Sequence, residues 1–303
     1  MEAHTLSALS DELTALVRLA QEHVVRVEGR RGRAASGVAW SADGIVVTAH
    51  HVLDRDEEID VGLPSGETAV AEVVGRDPTT DLAALRLRGG GIAPAPWTDA
   101  PLAAGALVLG VTRPGKSPRV GLGLVARAAG EYRGGRGGRI DRFLETTLAL
   151  HPGVSGGLAV SAGGAPLGLL SAGLVRGSAM IVPPATLRRV VKSLLAHGEV
   201  RRGYLGLATM PVPLPAPLRA ATGEHVALLV TRVEPESPAE RAGILLGDAL
   251  LSFGGDTLQD PSELLGLLAE DRIGDAVPMK LLRAGEVRDV TVTVGARGHG
   301  RRS

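Results

Sequence analysis

From residue 24 to about residue 182 the chain is a series of short apolar runs broken by Gly, Pro and Asp: VVRVEG, GVAWSADGIVVTA, IDVGLPSG, AVAEVVGRDP, ALVLGVTRPG, VGLGLVARA, FLETTLAL, LAVSAGG, PLGLLSAGL and SAMIVP. Many strand-length runs with regular turn signals predict a sandwich or barrel. Both flanks switch to a helical period. Leu6, Leu9, Leu13, Leu16 and Ala20 recur at helical spacing, so an amphipathic helix whose stripe packs on the body is expected within residues 1–23. Pro183 and Pro184 open a second helix over 185–197, with Leu187, Val190, Val191, Leu194 and Leu195 on one face and Gly198 as C-cap.

After the polar hinge GEVRRG the pattern becomes mixed, with strands such as VALLVTRVEP and VRDVTVTVG alternating with two short helices. Ser237, Pro238 and Glu240 supply an N-cap, a first-turn proline and a capping acid; Asp260, Pro261 and Glu263 repeat the set. Pro211, Pro213, Pro215 and Pro217 read as an extended surface loop. The expected organisation is a helix over 1–23, a β-rich domain over 24–183, a helix and hinge over 184–202, a small α+β domain over 203–296 and a basic tail over 297–303.

A chain of 303 residues, 44% hydrophobic, suits about two domains with real cores. Aromatic residues are 2% of it, so those cores must be aliphatic. Thirty-three basic residues balance thirty-three acidic ones, which gives no field favouring nucleic acid or a membrane surface. Cysteine is absent, excluding disulfides, thiolate metal sites and cysteine nucleophiles. No apolar run reaches the length of a membrane span. The start, with Glu2, Asp11 and Glu12, shows no secretory signal, so a cytoplasmic location is the default expectation from the text.

Three segments carry candidate chemistry: TAHHV at 48–52, DPTTDLAAL at 77–85 and HPGVSGG at 151–157. They supply a base, an orienter and a nucleophile in His51, Asp81 and Ser155. Nucleophilic catalysis by serine asks for an imidazole to take the hydroxyl proton and a buried carboxylate to fix that imidazole's tautomer. The order His, Asp, Ser is that of chymotrypsin-like double barrels. Asp77, before Pro78, reads as a turn former. The glycines around Ser155 permit a tight turn that turns the N–H groups of Gly153 and Ser155 toward one oxyanion position. A metal site at His50, His51 and Asp54 lacks a third imidazole or a suitably spaced Glu.

With these segments, SGVAWSADGIVVTAHHVLD, VVGRDPTTDLAALRL, RRGYLGL and ERAGILLGDALLSFGG, the chain resembles the HtrA/Deg family, trypsin-like serine peptidases followed by a PDZ domain, over nearly its whole length. The resemblance implies a mainly β chymotrypsin-like double barrel followed by a small α+β PDZ domain, and ATP-independent endopeptidase activity on unfolded polypeptides with no cofactor. It selects His51 over His50 as base. Ala149, six residues before Ser155, stands where relatives that cleave after basic residues carry an aspartate, so small or medium aliphatic residues before the cut are expected. Two departures bear on loop rigidity: Val154 replaces the usual Asn or Asp, and Leu158 the usual Pro. They leave open a PDZ-bearing, chaperone-like binding protein with an idle peptidase loop. The AGEYRGGRGGRIDR stretch, 129–142, falls at a family loop that senses activating signals; a flexible solvated loop is the plain alternative, and one RGG-like copy in a β-rich domain does not make a nucleic-acid site. Tyr204, Leu205, Gly206 and Leu207 resemble a PDZ carboxylate-binding loop for C-terminal peptides, with Leu264, Leu265 and Leu268 as candidate pocket wall. Family members are commonly exported and often form trimers through aromatic contacts near the N-terminus, which this chain's start lacks.

Overall fold

The computed structural model describes residues 2–89, 91–134, 138–201, 203–268 and 272–296. The chain divides into two compact units at residue 200.

In the first unit, helix α1 (Glu2–Ala20) leads into β1 (Val24–Arg30), β2 (Arg33–Ser41), β3 (Ile45–Ala49), β4 (Ile59–Gly62), β5 (Thr68–Asp77) and β6 (Leu82–Leu87), which close a barrel in the order β1-β2-β3-β6-β5-β4. A second barrel is built from β7 (Leu107–Thr112) and β8 (Arg119–Ala129), then, beyond the two-residue strands β9 (Tyr132–Arg133) and β10 (Arg139–Ile140), from β11 (Phe143–Thr146), β12 (Leu158–Ser161), β13 (Pro166–Ser171) and β14 (Ala179–Val182). Its order is β11-β14-β13-β12-β7-β8. Closure removes the sheet edges that short, Val-rich strands would otherwise expose.

The barrels are filled by Val, Leu, Ile and Ala. Val25, Val27, Val46, Ile59 and Leu85 fill the first; Val108, Leu144, Leu167, Leu170 and Ile181 fill the second. Between them a further cluster joins Val38, Val47 and Leu82 to Leu109, Val111, Leu158 and Leu169, and α2 (Pro184–His197) adds Leu187, Val190, Val191 and Leu194 to it. Each such side chain contributes about 1.5–3 kcal/mol by leaving water. Gly198 ends α2 at φ 75°, its N–H donating to the Leu194 carbonyl, while Leu195 lies off the buried face. The N-terminal stripe is only half used. Leu13, Leu16 and Ala20 pack on the inter-barrel cluster, whereas Leu6 and Leu9 are exposed because the first half of α1 runs past that cluster.

The second unit holds β16 (Leu207–Pro213), β17 (Val226–Val233), β18 (Ala249–Phe253), β20 (Ala276–Arg283) and β21 (Glu286–Thr293) in one antiparallel sheet in that order, with β19 (Asp256–Thr257) on β18. A separate pair joins β15 (Gly203–Tyr204) to β22 (Gly295–Ala296). Among the described residues three helices, α3 (Ala216–Thr222), α4 (Pro238–Arg241) and α5 (Pro261–Leu267), stand where the pattern predicts two. Ser237 caps α4 by accepting the Glu240 N–H, and Asp260 with Glu263 forms a complete capping box on α5. The proline-rich segment is not a loop. Pro211 and Pro213 lie within β16, an edge strand where a missing N–H is tolerated, and Pro215 and Pro217 begin α3.

Asp248, 2% exposed, ties this unit together. Its two oxygens accept Nε and a terminal nitrogen of Arg283 at 2.8 and 2.7 Å, and one also accepts the Leu245 N–H at 2.8 Å. Burial opposes ionisation, but the Arg283 hydrogen bonds, the Leu245 N–H and the nearby charge outweigh it, holding the Asp248 carboxyl below its ordinary value. Such a group stabilises the fold above the unfolded carboxyl's pKa and loses that contribution as pH falls through the folded value. Asp248→Asn leaves Arg283 without its carboxylate and is expected to cost about 2–4 kcal/mol in urea unfolding at pH 7. The difference from wild type should begin to shrink as pH falls below the unfolded carboxyl's value of about 3.9, and should vanish only once pH has passed the lower folded value.

Candidate active site

His51 follows β3 in a single 3₁₀ turn, His50–Val52, and Asp81 immediately precedes β6. Strands β3 and β6 pair antiparallel, Ala49 opposite Leu82, so the ladder itself sets the two residues side by side. The His51 Nδ1–H reaches the two Asp81 oxygens at 2.9 and 2.8 Å, and the His51 backbone N–H donates to the first of them at 3.0 Å. Asp81 is 5% exposed and adopts φ 57°, left-handed backbone that Asp tolerates better than most residues. Its carbonyl accepts the His50 N–H at 3.0 Å, which pins this conformation. Asp77 shapes the preceding turn by accepting the Thr79 N–H and both the Thr79 and Thr80 hydroxyls.

Ser155 sits, 4% exposed, on the turn between β11 and β12. The Gly157 N–H donates to the Val154 carbonyl and the Val154 N–H to that of His151, closing two tight turns around the hydroxyl. Val154 is buried in the second barrel and Leu158 in the inter-barrel cluster, so each apolar substitution anchors its end of the turn in a core. The N–H groups of Gly153 and Ser155 make no hydrogen bond among the described residues.

Ser155 Oγ accepts the Ala172 N–H at 3.1 Å, and no hydrogen bond joins it to His51 among the described residues. The neighbouring Gly173 lies against the acid and base: a Cβ there would stand 2.7 Å from both Asp81 Oδ2 and His51 Nδ1. Consecutive residues of the segment after β13 thus touch Ser155 and the His51–Asp81 pair, bringing all three side chains to one place.

Several residues around the triad carry no separable signal in the sequence. Ser171 donates its hydroxyl to Asp81 Oδ2, filling a carboxylate position left by the imidazole. Ser36 binds the Ser155 turn two ways, its N–H donating to the Ser155 carbonyl and its hydroxyl to the Gly153 carbonyl, and that hydroxyl also accepts the Arg113 N–H from the end of β7. Thr48 donates to the Ser36 carbonyl at 2.7 Å. The only available hint was a hydroxyl within an apolar run, as in GLLSAG, since a buried hydroxyl requires a partner.

The remaining candidates are placed differently. Ala149 is exposed, just outside the turn, rather than at the floor of an enclosed pocket. His50 is half-buried with Nδ1 unpartnered, and burial, with the charge of Arg76, pushes its imidazole below the ordinary value. No cluster of three metal-ligating side chains occurs among the described residues. In the 129–142 stretch the residues 135–137 lie outside the described residues, and Asp141 ties the base of the stretch to α2 through Thr186 and Arg189. The 297–303 tail also lies outside them.

In the second unit the segment Tyr204–Leu207 turns at Gly206, φ 79°, where a Cβ would strike Ser237 at 2.3 Å. The Leu205 carbonyl accepts the Ala239 N–H and the Gly206 carbonyl the Glu234 N–H. Because N–H and C=O of a trans peptide point in opposite directions, the N–H groups of Gly206 and Leu207 face away from those partners. Leu264 and Leu268 are core residues; only Leu265 of the three is exposed.

Comparison with known proteins agrees with this geometry. Residues 35–169 match the trypsin-like peptidase domain and residues 203–294 the PDZ domain. A Brucella suis protein named "Probable periplasmic serine endoprotease DegP-like" is 30% identical over 293 residues, covering 89% of this chain and 56% of that protein. The chain therefore spans about half the length of the curated relatives it matches. The crystal structure of a serine endoprotease from Yersinia pestis superposes with a TM-score of 0.74 at 29% identity, covering 93% of this chain and 97% of that one. The HtrA-type protease AlgW, solved with a tripeptide, gives a TM-score of 0.74 at 27% identity over 94% of this chain and 97% of its own. Among the described residues no helix is long and apolar enough to cross a membrane. With both domains matched in order and relatives of this kind along nearly its whole length, the chain belongs to the HtrA/Deg family of trypsin-like serine peptidases carrying a C-terminal PDZ domain.

Proposed function

We propose that this chain is an ATP-independent serine endopeptidase acting on unfolded polypeptides, and that its second unit binds the C-termini of peptides. The observation that carries the first part is the His51–Asp81 pair, its Nδ1 side saturated by a buried carboxylate, set beside a Ser155 whose turn leaves two N–H groups unbonded. With Nδ1–H committed to Asp81, the other imidazole nitrogen is the basic one.

Catalysis begins when the Ser155 hydroxyl rotates from the Ala172 N–H toward His51. Oγ attacks the peptide carbonyl carbon as its proton passes to Nε2, and the carbonyl electron pair moves onto oxygen. The Gly153 and Ser155 N–H groups receive that oxyanion. As the tetrahedral intermediate collapses, His51 gives the proton to the departing amine, leaving an acyl-serine that water hydrolyses by the same steps. Asp81, held by Ser171 and by the His51 backbone, stabilises the imidazolium without taking its proton. No step needs a cofactor.

An unfolded chain can present the extended backbone that such a cleft binds. Ala149 is exposed, but neither it nor its neighbours Leu148 and Leu150 offer a carboxylate, so a Lys or Arg before the cut would gain no counter-charge there and aliphatic residues fit better. The relatives are named periplasmic, which favours an extracytoplasmic location and gives no support to the cytoplasmic default. The idle-peptidase alternative drew on Val154 and Leu158, and their burial beneath the turn favours a rigid loop instead.

Ser155→Ala should abolish casein cleavage, since loss of a triad nucleophile costs on the order of 10⁶ in turnover, while circular dichroism stays that of wild type. Retained wild-type cleavage would remove Ser155 from the reaction. Mass-spectrometric mapping of wild-type products should place Val, Ala or Leu before most cuts. A majority of cuts after Lys or Arg would overturn the reading of Ala149.

A further inference from the structure

Strand β2 has an open edge beside the Ser155 turn. The β1–β2 hairpin closes on the pair Arg30–Arg33 across the two-residue turn 31–32, and Val27 and Val25 stand opposite Ala35 and Gly37. Main-chain groups alternate between the two sides of an antiparallel strand, so Arg33, Ala35 and Gly37 bond toward β1 while Ala34 and Ser36 face the other way. On that other side β3 pairs with β2 only from Val38 onward among the described residues. Ser36 spends its open side on the catalytic seam, donating its N–H to the Ser155 carbonyl and accepting the Thr48 hydroxyl. The next main-chain site along the edge is Ala34, about 6.6 Å further out at the rise of an extended strand.

The direction of a bound peptide follows from the chemistry. Its leaving amine must lie against His51, which protonates it, and the hairpin lies there too. A Cβ on Gly29 would stand 2.8 Å from the Val52 carbonyl oxygen and 2.3 Å from the Leu53 side chain, the two residues that follow His51. Ala172 and Gly173 cover the other flank of the triad. Residues after the cut therefore leave along β2 toward its first residue and antiparallel to it, the second level with Ala34 and the third and fourth level with Arg33 and the turn.

At that end of the edge the chain places three exposed arginines within four residues, Arg30, Arg31 and Arg33. None of them makes an ion pair among the described residues: Glu28 is taken by Arg26, and Asp54, whose N–H donates to the Gly29 carbonyl, pairs with none of them. Arg30 and Arg33 also stand directly opposite each other, and a like-charge pair across two strands costs the hairpin stability. The three charges therefore do nothing for the fold that carries them. We infer that Arg30, Arg31 and Arg33 select acidic side chains at the third and fourth residues after the cut. The inference rests on the proposed endopeptidase activity at Ser155. It narrows the substrate class to unfolded segments in which an aliphatic residue is followed, three or four residues on, by Asp or Glu. The cations sit on a hairpin tip in water, so they act as a screened attractive field that adds to main-chain pairing at Ala34.

The test measures kcat/KM of the full chain on three quenched peptides that share Ala-Ala-Val before the cut and differ only at the third and fourth residues after it, which are Glu-Glu, Gln-Gln or Lys-Lys. Mass spectrometry of the products fixes the cut. The Glu peptide should be cleaved about fivefold to twentyfold faster than the Gln peptide, the range expected from two or three exposed charge pairs, and the Lys peptide should be the slowest. The Glu-to-Gln ratio should fall as the Debye length shortens from about 10 Å in 0.1 M salt to about 3 Å in 1 M. In the triple variant Arg30→Gln, Arg31→Gln, Arg33→Gln, with folding checked by its thermal transition, the ratio should drop to about one. The corresponding triple Lys variant keeps the charges and should restore most of it. Arg31→Gln alone lies in the turn, outside both strands, and should lower the ratio by about twofold. Equal cleavage of the three peptides by wild type, or an acidic preference that the Gln variants keep, would overturn the inference and leave the endopeptidase reading intact. No cleavage of any of these peptides or of casein would overturn that reading itself.

Discussion

The Ser155 turn can meet the strand that precedes His51 only because residue 156 has no side chain. Gly156 adopts φ 83°, and a Cβ there would lie 1.8 Å from the Ser36 carbonyl oxygen and 2.7 Å from the Thr48 hydroxyl. The nucleophile turn of the second barrel is thus pressed main chain to main chain against β2 of the first. Ser36 converts this approach into fixed geometry through its bonds to Ser155 and Gly153, and Thr48, three residues before His51, holds the Ser36 carbonyl from the other side. His51 and Ser155 come from different barrels, and one seam sets their spacing. The aliphatic cluster beneath supplies adhesion without direction; the hydrogen bonds at the seam supply the direction.

Asp81 is positioned by a different device. Asp81 takes left-handed backbone, at a cost of about 1–3 kcal/mol, and remains there because everything around it is already committed. Asp77 braces the turn from before, β6 begins directly after, and the His50 and His51 N–H groups bind its carbonyl and carboxylate. Gly138 closes the far side, where a Cβ would meet the Thr79 carbonyl at 2.1 Å. The stretch 129–142 therefore abuts the turn that carries the acid, two residues from Asp81. Ser155, by contrast, rests on the Ala172 N–H, a contact that a rotation of one side-chain bond exchanges for His51.

The sequence made the strand-rich first unit, the two capped helices and the segments that carry His51, Asp81 and Ser155 legible because each depends on local chemistry: strand-length apolar runs, cap residues at fixed offsets, and glycines flanking a serine. What it concealed is non-local. Ser36 and Ser171 look like any hydroxyl in a strand, and their roles arise from partners 117 and 90 residues away. The four prolines read as a loop since proline disfavours strands in general; that β16 is an edge, where proline is admissible, follows only from the order of the sheet. Ala149 was chosen because the family resemblance puts relatives' pocket-floor aspartate six residues before the serine, yet such a correspondence carries no information about burial in this chain, and the residue is exposed. Half of the α1 stripe is likewise exposed, because helical periodicity shows which face is apolar and not how far along it the core extends.

The most direct test of the triad is covalent. A fluorophosphonate reacts with a serine only when an adjacent base removes its proton and nearby donors stabilise the phosphoryl oxygen, so the reagent reports assembly of the site independently of any peptide substrate. Peptide mapping after labelling should place a single adduct on Ser155, and His51→Ala should lose it. An unlabelled Ser155 in the wild-type protein, or equal labelling with and without His51, would contradict an assembled Ser155–His51–Asp81 site.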